Sequence, residues 1–563
     1  MPLAAPFVPV VTLLLGAALL PLAKNVARGR AVQVVAIGVL SIALLATGSL
    51  YLARPLAWTA QFWRPAALFG LELGYYADSV SISCIFLLMV VALIALLAEP
   101  PQVFLQRGDV EIIVPLFLAL GGACSVLLAA DLVSLVLSWG FLDLALLLLT
   151  VRSDSAHGGP KAATRLVLTN YLGGVALAGG LLVLLARGET FSLGAAPMPA
   201  LAISLMMGAA LLRLRLYPAF LAATPGWERA LVARVLWHVM PVVVGGYLLV
   251  RALGLAAMTS LPGSGLGLVL ASMSIALAPF GLWFEPAVEK AAPYLVLSQV
   301  GHMALAAIIG SAYSPAVIGS QVVTLVFALA VLFLGQSGSL QSMPRGYDVF
   351  RRCCLWAAIA ALVATPLTVG FVARQMLYAS LLGSRLALLV LVSALANSFM
   401  VPPLLKMGLA SAPAEGEKNG SLLLRLAGLT LTALPLVVFG LFPQLLGRLL
   451  GIRGVLAPWP TALALVYSPD SLSPTLLAVL TIGSLALGYL MYRRGSLMVD
   501  KAGDALETLH WVARAEWLYG AVGRAGEVVV TVVENIGGFF EDSRSAGWIL
   551  AFATLIALLL LSS

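Results

Sequence analysis

The sequence contains few charged residues for its length. Asp, Glu, Lys and Arg together make up 10% of its 563 residues, whereas hydrophobic residues make up 61%. Because charged residues account for about a quarter of an ordinary soluble domain, this composition excludes a water-soluble globule. The mean hydropathy of +1.05 agrees with that conclusion. We therefore expect the chain to reside in a lipid bilayer.

Cysteine and histidine are also rare, with four of each. No two cysteines show a Cys-x-x-Cys spacing, which argues against zinc, haem-attachment and iron–sulfur sites. Lys and Arg are scattered over short segments, so the net charge of +8 does not form a nucleic-acid-binding patch. We expect no cofactor, no metal, no nucleic acid partner and no catalytic residues. The cysteines are expected to be packing residues: Cys84, Cys124, Cys353 and Cys354.

Long apolar runs recur along almost the whole chain. A hydrocarbon core of roughly 30 Å requires about 20 apolar residues per helix, and we count about sixteen such runs. The first lacks a basic flank and a cleavage site, so it is expected to be a retained span and not a signal peptide. The runs are 6–23, 31–53, 79–98, 111–129, 131–151, 164–186, 198–223, 231–254, 264–282, 293–312, 315–335, 353–381, 386–405, 422–447, 473–492 and 546–562.

The basic residues are distributed unevenly between alternate loops. If the N-terminus lies outside, the inward loops hold eighteen Lys and Arg and the outward loops seven. An excess of Lys and Arg marks the cytoplasmic side of a membrane protein. This pattern predicts a multi-pass protein of a prokaryotic inner membrane, with both termini outside.

Two of the predicted spans contain a proline close to arginine. The seventh has Arg213 and Arg215 before Pro218, and the twelfth has Pro366 before Arg374. Because proline removes a backbone donor, each helix is expected to be kinked or interrupted. Such breaks at matching positions indicate inverted repeats that line an ion path. The alternative is two independent kinks with arginines that snorkel to the surface.

Several segments resemble the antiporter-like membrane subunits of respiratory complex I, a family shared with membrane-bound hydrogenases and multisubunit cation/proton antiporters. The similar segments are ELGYYADSVSISCIFLLMV, LGGACSVLLAADLVSLVLSW, KAATRLVLTNYLGGVALAGGLLVLL, EKAAPYLVLSQVGHM and TPLTVGFVAR. The first has Asp78 in an Asp-x-x-Ser position, and the last has Arg374 in place of lysine. The fourth has these residues in family positions: Lys290, Tyr294, Ser298, Gln299, Gly301 and His302. These segments occur in the same order as in the family, and the resemblance covers nearly the full length of the chain.

The resemblance implies an all-α polytopic membrane protein with two inverted five-helix repeats and broken helices. The implied organisation is an N-terminal transmembrane part at 1–110, repeats at 111–254 and 264–405, C-terminal transmembrane helices at 422–492, a lateral amphipathic helix at 500–545 and a final span at 546–563.

The C-terminal region resembles the lateral helix of the distal, L-type subunit. Apolar residues recur at helical spacing, as expected for a helix with one apolar face lying along a surface: Leu518, Val522, Ala525, Val529, Val533 and Ile536. Gly520, Gly523 and Gly526 weaken a continuous helix. A soluble loop or a short helical hairpin is the alternative.

The family moves ions along a chain of buried titratable groups, and this sequence departs from that chain. Gly140 replaces the expected glutamate, and Asp143 lies three residues on, on nearly the same helical face. Arg213 and Arg215 stand where a lysine is expected, although arginine cannot readily release a proton. Trp237 occupies the usual histidine position with His238 beside it, and Leu329 falls at the lysine position of the eleventh span.

These departures leave alternatives open. Asp143 is either a displaced partner of Arg213 or Arg215, which we expect within ion-pair distance, or a structural carboxylate. His238 and His302 are either proton carriers or hydrogen-bonding groups between helices. The ion-translocation candidates are Asp143, Arg213, Arg215, His238, Lys290, His302 and Arg374, and the helix-breaking residues are Pro218 and Pro366.

Three functions are compatible with the resemblance. The first is a proton- or sodium-conducting subunit of a redox-driven complex such as NADH:quinone oxidoreductase or a membrane-bound hydrogenase. The second is a degenerate, mainly structural subunit of such a complex. The third is a membrane subunit of a cation/proton antiporter or of an inorganic-carbon uptake system. Each function implies homologous membrane subunits and the lipid bilayer as partners. Because several of the family's titratable residues are replaced in this sequence, the second function is favoured.

Overall fold

A computed structural model describes most of the chain. The described residues are 5–26, 30–59, 73–99, 107–153, 159–188, 192–193, 198–219, 230–256, 261–285, 287–336, 345–409, 422–451 and 472–515, with 517, 518, 520, 521, 524 and 531. Two compact units, 1–506 and 507–563, divide the chain.

Helices account for nearly all of the described structure. In chain order they are α1 (Val8–Val26), α2 (Arg30–Ala53), α3 (Ser79–Ala98), α4 (Arg107–Leu128), α5 (Leu132–Ser153), α6 (Gly159–Arg187), α7 (Ala200–Arg213), α8 (Leu231–Leu255), α9 (Ser264–Phe284), α10 (Val288–Ile309), α11 (Ser314–Gln336), α12 (Arg345–Leu362), α13 (Val369–Gly383), α14 (Ala387–Leu409), α15 (Leu422–Leu441), α16 (Pro443–Leu450), α17 (Leu472–Arg493) and α18 (Gly495–Arg514).

Ten of these helices are long and apolar enough to cross a bilayer, and four shorter apolar helices accompany them in the described part of the chain. Because lipid offers no hydrogen bonds to the backbone, apolar runs of this length satisfy their own N–H and C=O groups by forming helices. The prediction of an all-α polytopic membrane protein is therefore confirmed. The count of sixteen spans stays a prediction, and the run 546–562 lies outside the described residues.

Helix α11 forms the centre of the bundle. Every residue from Ala316 to Gly335 is buried, and α3, α8, α10, α12, α13 and α15 surround it. On the outer helices, apolar side chains such as Leu45 and Leu52 are exposed. Because lipid tails are as apolar as leucine, such side chains suit a surface that faces the bilayer.

A small β-hairpin precedes α3 and was not predicted. Strand β1 (Leu56–Thr59) pairs antiparallel with β2 (Gly74–Ala77). Asp78 then caps α3: its Oδ1 accepts from the Ser81 amide at 2.8 Å, while the Asp78 amide donates to Ser81 Oγ at 2.9 Å. This reciprocal capping box satisfies two amides that the helix itself leaves free. The Asp-x-x-Ser segment therefore fixes where α3 begins.

Three further sequence predictions have mixed outcomes. The run 422–447 was expected to be one span, but α15 ends at Leu441 and α16 begins at Pro443, because proline suits the first position of a new helix. Packing roles are confirmed for three cysteines, whereas Cys353 is exposed. Within the lateral-helix region, α18 ends at Arg514 and Ala515 has a positive φ of 50°; most of the predicted apolar stripe lies outside the described residues.

Candidate functional site

The predicted seventh span is not one continuous helix, and the point where α7 ends is called the first break. Helix α7 ends at Arg213, and the chain turns through Leu214 to Ala219, which includes Pro218. Arg215 has a φ of 61°, a left-handed conformation that an L-residue with a side chain adopts only at a cost of about 1–2 kcal/mol. The Tyr217 amide leaves the helical ladder and donates to Ser274 Oγ of α9 at 3.1 Å. A neighbouring helix thus satisfies backbone that the break releases.

Asp143 and Arg213 form a buried ion pair beside this break. Arg213 Nη2 lies 2.5 Å from Asp143 Oδ1, and the side chains are 2% and 21% exposed. The Arg213 guanidinium also lies over the Trp139 ring, 4.0 Å from its centroid, where the electron-rich ring face attracts a cation. The expectation that Asp143 approaches one of the two arginines is therefore confirmed, and the partner is Arg213.

Arg215 has different surroundings from Arg213. Its guanidinium lies over the ring of Trp237, 4.6 Å from the centroid. His238, the next residue of α8, is buried and stacks on Phe333 of α11 with ring centroids 5.7 Å apart. The structure thus places Arg215, Trp237 and His238 together at the interface of α8 with α11.

The second predicted break separates α12 from α13. The connecting residues 363–368 include Pro366, and both Ala364 and Leu367 have positive φ angles, of 59° and 71°. Side-chain amides from two other helices bind the carbonyls released by the break. Gln299 of α10 donates to the Leu362 carbonyl, and Asn397 of α14 donates to the Val363 carbonyl, each at 2.9 Å.

Arg374 lies on α13 just beyond this break and is 1% exposed. Its Nη1 donates to Ser393 Oγ at 2.9 Å and contacts His302 Nε2. His302 Nδ1 lies 2.7 Å from the carbonyl of Ser298. Because a carbonyl only accepts, Nδ1 carries the proton, and a neutral His302 presents Nε2 as the acceptor for Arg374.

A hydroxyl completes this cluster, since Tyr378 OH lies 3.1 Å from Ser393 Oγ. Among the described residues, no carboxylate oxygen lies within 4.0 Å of Arg374. Neutral acceptors therefore surround the buried guanidinium. Because desolvating a charge without a counter-charge costs several kcal/mol, these acceptors are the groups that hold it in place.

Helix α11 packs against α8, which carries His238, and against α13, which carries Arg374, and it presents little polar chemistry. Leu329, at the family's lysine position, is fully buried among apolar side chains. The residues from Leu325 to Gly335 are all apolar and buried. Gln321, about one turn before this stretch, is 1% exposed, and its side-chain amide makes no hydrogen bond with the described residues. Its amide does not titrate.

Most of the predicted site residues thus form three separate pairs. Asp143 pairs with Arg213, Arg215 lies near His238, and His302 contacts Arg374. Lys290 belongs to none of these groups, because it lies exposed in the first turn of α10.

Four residues that complete these sites were not predicted from the sequence. Ser393 and Tyr378 bind within the Arg374 cluster, while Ser274 and Asn397 bind freed backbone. A polar residue within an apolar span was the available signal, because such residues are costly in lipid unless they have a partner.

Comparison with protein-family models gives no match, and neither does comparison with curated protein sequences. Solved structures do match over most of the chain. A chain of the Mrp complex from Dietzia sp. DQ12-45-1b is 18% identical with a TM-score of 0.74, over 99% of this chain and 63% of its own length. This chain therefore spans less than two thirds of that relative.

Two respiratory complexes contain similar chains. A chain of the membrane-bound sulfane sulfur reductase, an archaeal respiratory membrane complex, is 16% identical with a TM-score of 0.70, over 98% of this chain and 99% of its own. A chain of respiratory complex I from Thermus thermophilus is 19% identical with a TM-score of 0.60, over 78% of this chain and 98% of its own. The chain therefore has the same fold as these chains of three membrane complexes, which is consistent with the resemblance to antiporter-like subunits noted in the sequence.

Proposed function

We propose that this chain is an antiporter-like membrane subunit of a redox-driven complex that translocates protons or sodium ions, such as an NADH:quinone oxidoreductase or a membrane-bound hydrogenase. Within that complex its contribution is mainly structural, and homologous membrane subunits carry the ions. The chain brings no active site of its own. Its structural similarity to chains of two respiratory complexes supports the proposal that it belongs to a redox-driven complex.

The apolar interior of α11 is the observation that carries the structural part of the proposal. A proton that crosses the subunit from the Asp143 side to the Arg374 side requires a group on α11 that binds and releases it. The eleven residues from Leu325 to Gly335 offer none, and they extend over about 16 Å of helix. Water needs two to four polar partners to occupy a buried site, and this stretch has no polar side chain.

The cations at the two breaks also suit a structural role. Both breaks carry arginine, at Arg213 and Arg374, and arginine exchanges protons less readily than lysine does. Asp143 neutralises Arg213, and a neutral His302 accepts from Arg374. These contacts hold broken helices in a fixed arrangement.

Two substitutions test the proposal, Asp143→Asn and His238→Ala. We expect both to reduce the amount of assembled complex more than they reduce the proton-to-electron ratio, because the first leaves Arg213 without its counter-charge and the second removes packing against Phe333. The assembled complex is quantified from membranes, and the ratio is measured in reconstituted vesicles at matched complex content.

Glu289→Gln is a matched control, because Glu289 is 53% exposed, although its partner Arg234 is only 17% exposed, and an ion pair with an exposed carboxylate contributes little to stability. It should change neither quantity. If Asp143→Asn instead removes about one subunit's share of pumping while assembly is unchanged, the structural role is wrong and an ion path crosses this chain.

A cation/proton antiporter or an inorganic-carbon uptake system is the second candidate. The overlap of 99% of this chain with a chain of the Mrp complex favours it. Genes beside this one would distinguish the candidates at once. A direct test is sodium- or potassium-driven proton movement in vesicles without an electron donor: exchange that depends on this chain would support the second candidate over the first.

A further inference from the structure

An apolar cavity opens on the side of the bundle, and its lining includes no residue of either helix break. Its volume is about 220 Å³, and α3, α8, α11, α15 and α16 form its walls. Phe86 and Leu431, which lie on its rim, are 42% and 56% exposed. Because the outer surface of these spans faces lipid, the cavity opens toward the hydrocarbon core of the bilayer.

The cavity extends along the helices for about half the thickness of a bilayer. Its lining runs from Val80 to Val90 on α3 and from Pro315 to Phe327 on α11. At 1.5 Å per residue these ten and twelve steps correspond to about 15 and 18 Å. A hydrocarbon core is roughly 30 Å thick. The cavity therefore reaches from one face of the membrane to about its middle.

Helix α16 lies at the shallow end of the cavity and supplies a positive charge there. Leu449 and Leu450 contribute to the lining, and Ser83 Oγ donates to the Leu449 carbonyl at 2.5 Å, which attaches α16 to α3. The next residue back, Arg448, is exposed in the last turn of α16. This exposed cation therefore belongs to the same short helix as the residues that line the shallow end of the cavity.

These features select one occupant. The walls carry almost no polar surface, so water would find too few partners. A transmembrane helix, with a diameter of about 10 Å, is too wide for this volume. An acyl chain is apolar, narrow and about half a bilayer long, and guanidinium binds phosphate with charge-assisted, two-point hydrogen bonds. We propose that the cavity holds one acyl chain of a membrane phospholipid, with the lipid phosphate at Arg448.

The substitution Val90→Phe tests the deep end of the cavity, because the larger side chain occupies space that the end of the acyl chain would fill. Native mass spectrometry of the complex in mild detergent measures the phospholipid that remains bound. We expect retention to fall about tenfold, a loss of about 1.4 kcal/mol of binding. The matched control is Val479→Phe, at an exposed apolar position on α17 away from the cavity lining, which should retain phospholipid as the unmodified complex does.

Arg448→Gln tests the head-group end. We expect retention to fall and its preference for anionic phospholipids to disappear, because the amide keeps hydrogen-bonding capacity but loses the charge. Arg187→Gln, at the exposed end of α6, is the matched control and should have no effect. Equal retention in Arg448→Gln and the unmodified complex would contradict the placement of the phosphate.

A third measurement needs no substitution and so does not depend on how the variants fold. A phospholipid with a photoreactive group at the end of one acyl chain is added to the complex, and cross-linked peptides are identified. We expect cross-links to the parts of α3 and α11 around Val90 and Phe327. Cross-links confined to exposed surfaces, or a quinone, a detergent or a peptide as the only retained molecule, would overturn the proposal.

Discussion

The ion pair between Asp143 and Arg213 allows a prediction of stability in energetic terms. Asp143→Asn removes the counter-charge of a guanidinium whose side chain is 2% exposed. Removing one partner of a fully buried pair costs about 3–5 kcal/mol. Two features lower this figure here: Asp143 is 21% exposed, and the Trp139 ring continues to attract the cation. We expect a loss of about 2–3 kcal/mol of unfolding free energy.

A double-mutant cycle isolates the contribution of the pair. The free energy of unfolding is measured for the unmodified chain, Asp143→Asn, Arg213→Gln and the double variant, with a denaturing detergent in mixed micelles. We expect Arg213→Gln to be costly as well, because it strands a carboxylate. The double variant should be less destabilised than the sum of the two single variants by about 2 kcal/mol, since an uncharged pair strands nothing.

The cycle also defines the result that would refute this reasoning. Independent positions add to within about 0.5 kcal/mol. A coupling energy no larger than that would mean that water or lipid head groups solvate Asp143 and Arg213 separately. The pair would then contribute nothing to the position of α7, and its assignment as the support of the first break would be wrong.

Two further predictions concern the second break and the start of α12. At Gly370 a Cβ atom would lie 1.9 Å from the Ala361 carbonyl oxygen, so Gly370→Ala should lower the unfolding temperature, whereas Gly346→Ala, which has open space, should not. The hydrogen bond from Arg351 holds the pKa of Asp348, at the exposed start of α12, below its usual range. A carboxyl with a lower pKa when folded contributes stability above its unfolded pKa of about 3.9, and the contribution is lost as the pH falls below that value. Below a pH of about 4, unfolding of the unmodified chain should therefore depend more steeply on pH than unfolding of Asp348→Asn, and equal slopes would contradict the assignment.

The sequence was most informative where a rare residue type interrupts an apolar span. Pro218 and Pro366 lie in non-helical segments, as expected from the missing backbone donor. Proline alone does not predict a break, because Pro241 and Pro279 lie inside continuous helices. Asp143 predicted an ion pair with a nearby arginine, because an isolated charge in lipid is too costly.

Contacts between distant segments were harder to predict from the sequence. Asn397 binds the carbonyl of Val363, and Ser274 binds the amide of Tyr217, but sequence spacing does not show which helix faces a break. The separation of α16 from α15 was missed because the apolar pattern continues across Phe442. A motif placed Lys290 among the candidates, and its exposure in the first turn of α10 depends on where that helix begins, so its role stays a prediction.

The amides that bind the second break have a mechanical consequence. Straightening α12 and α13 into one helix would return the carbonyls of Leu362 and Val363 to backbone partners and leave Gln299 and Asn397 without those acceptors in an apolar interior. Each buried polar group so stranded costs about 1–3 kcal/mol. The bend is therefore not a flexible joint: α10, α14 and the two half-helices are fastened as one rigid piece, and a conformational signal from a neighbouring subunit would displace that piece as a whole.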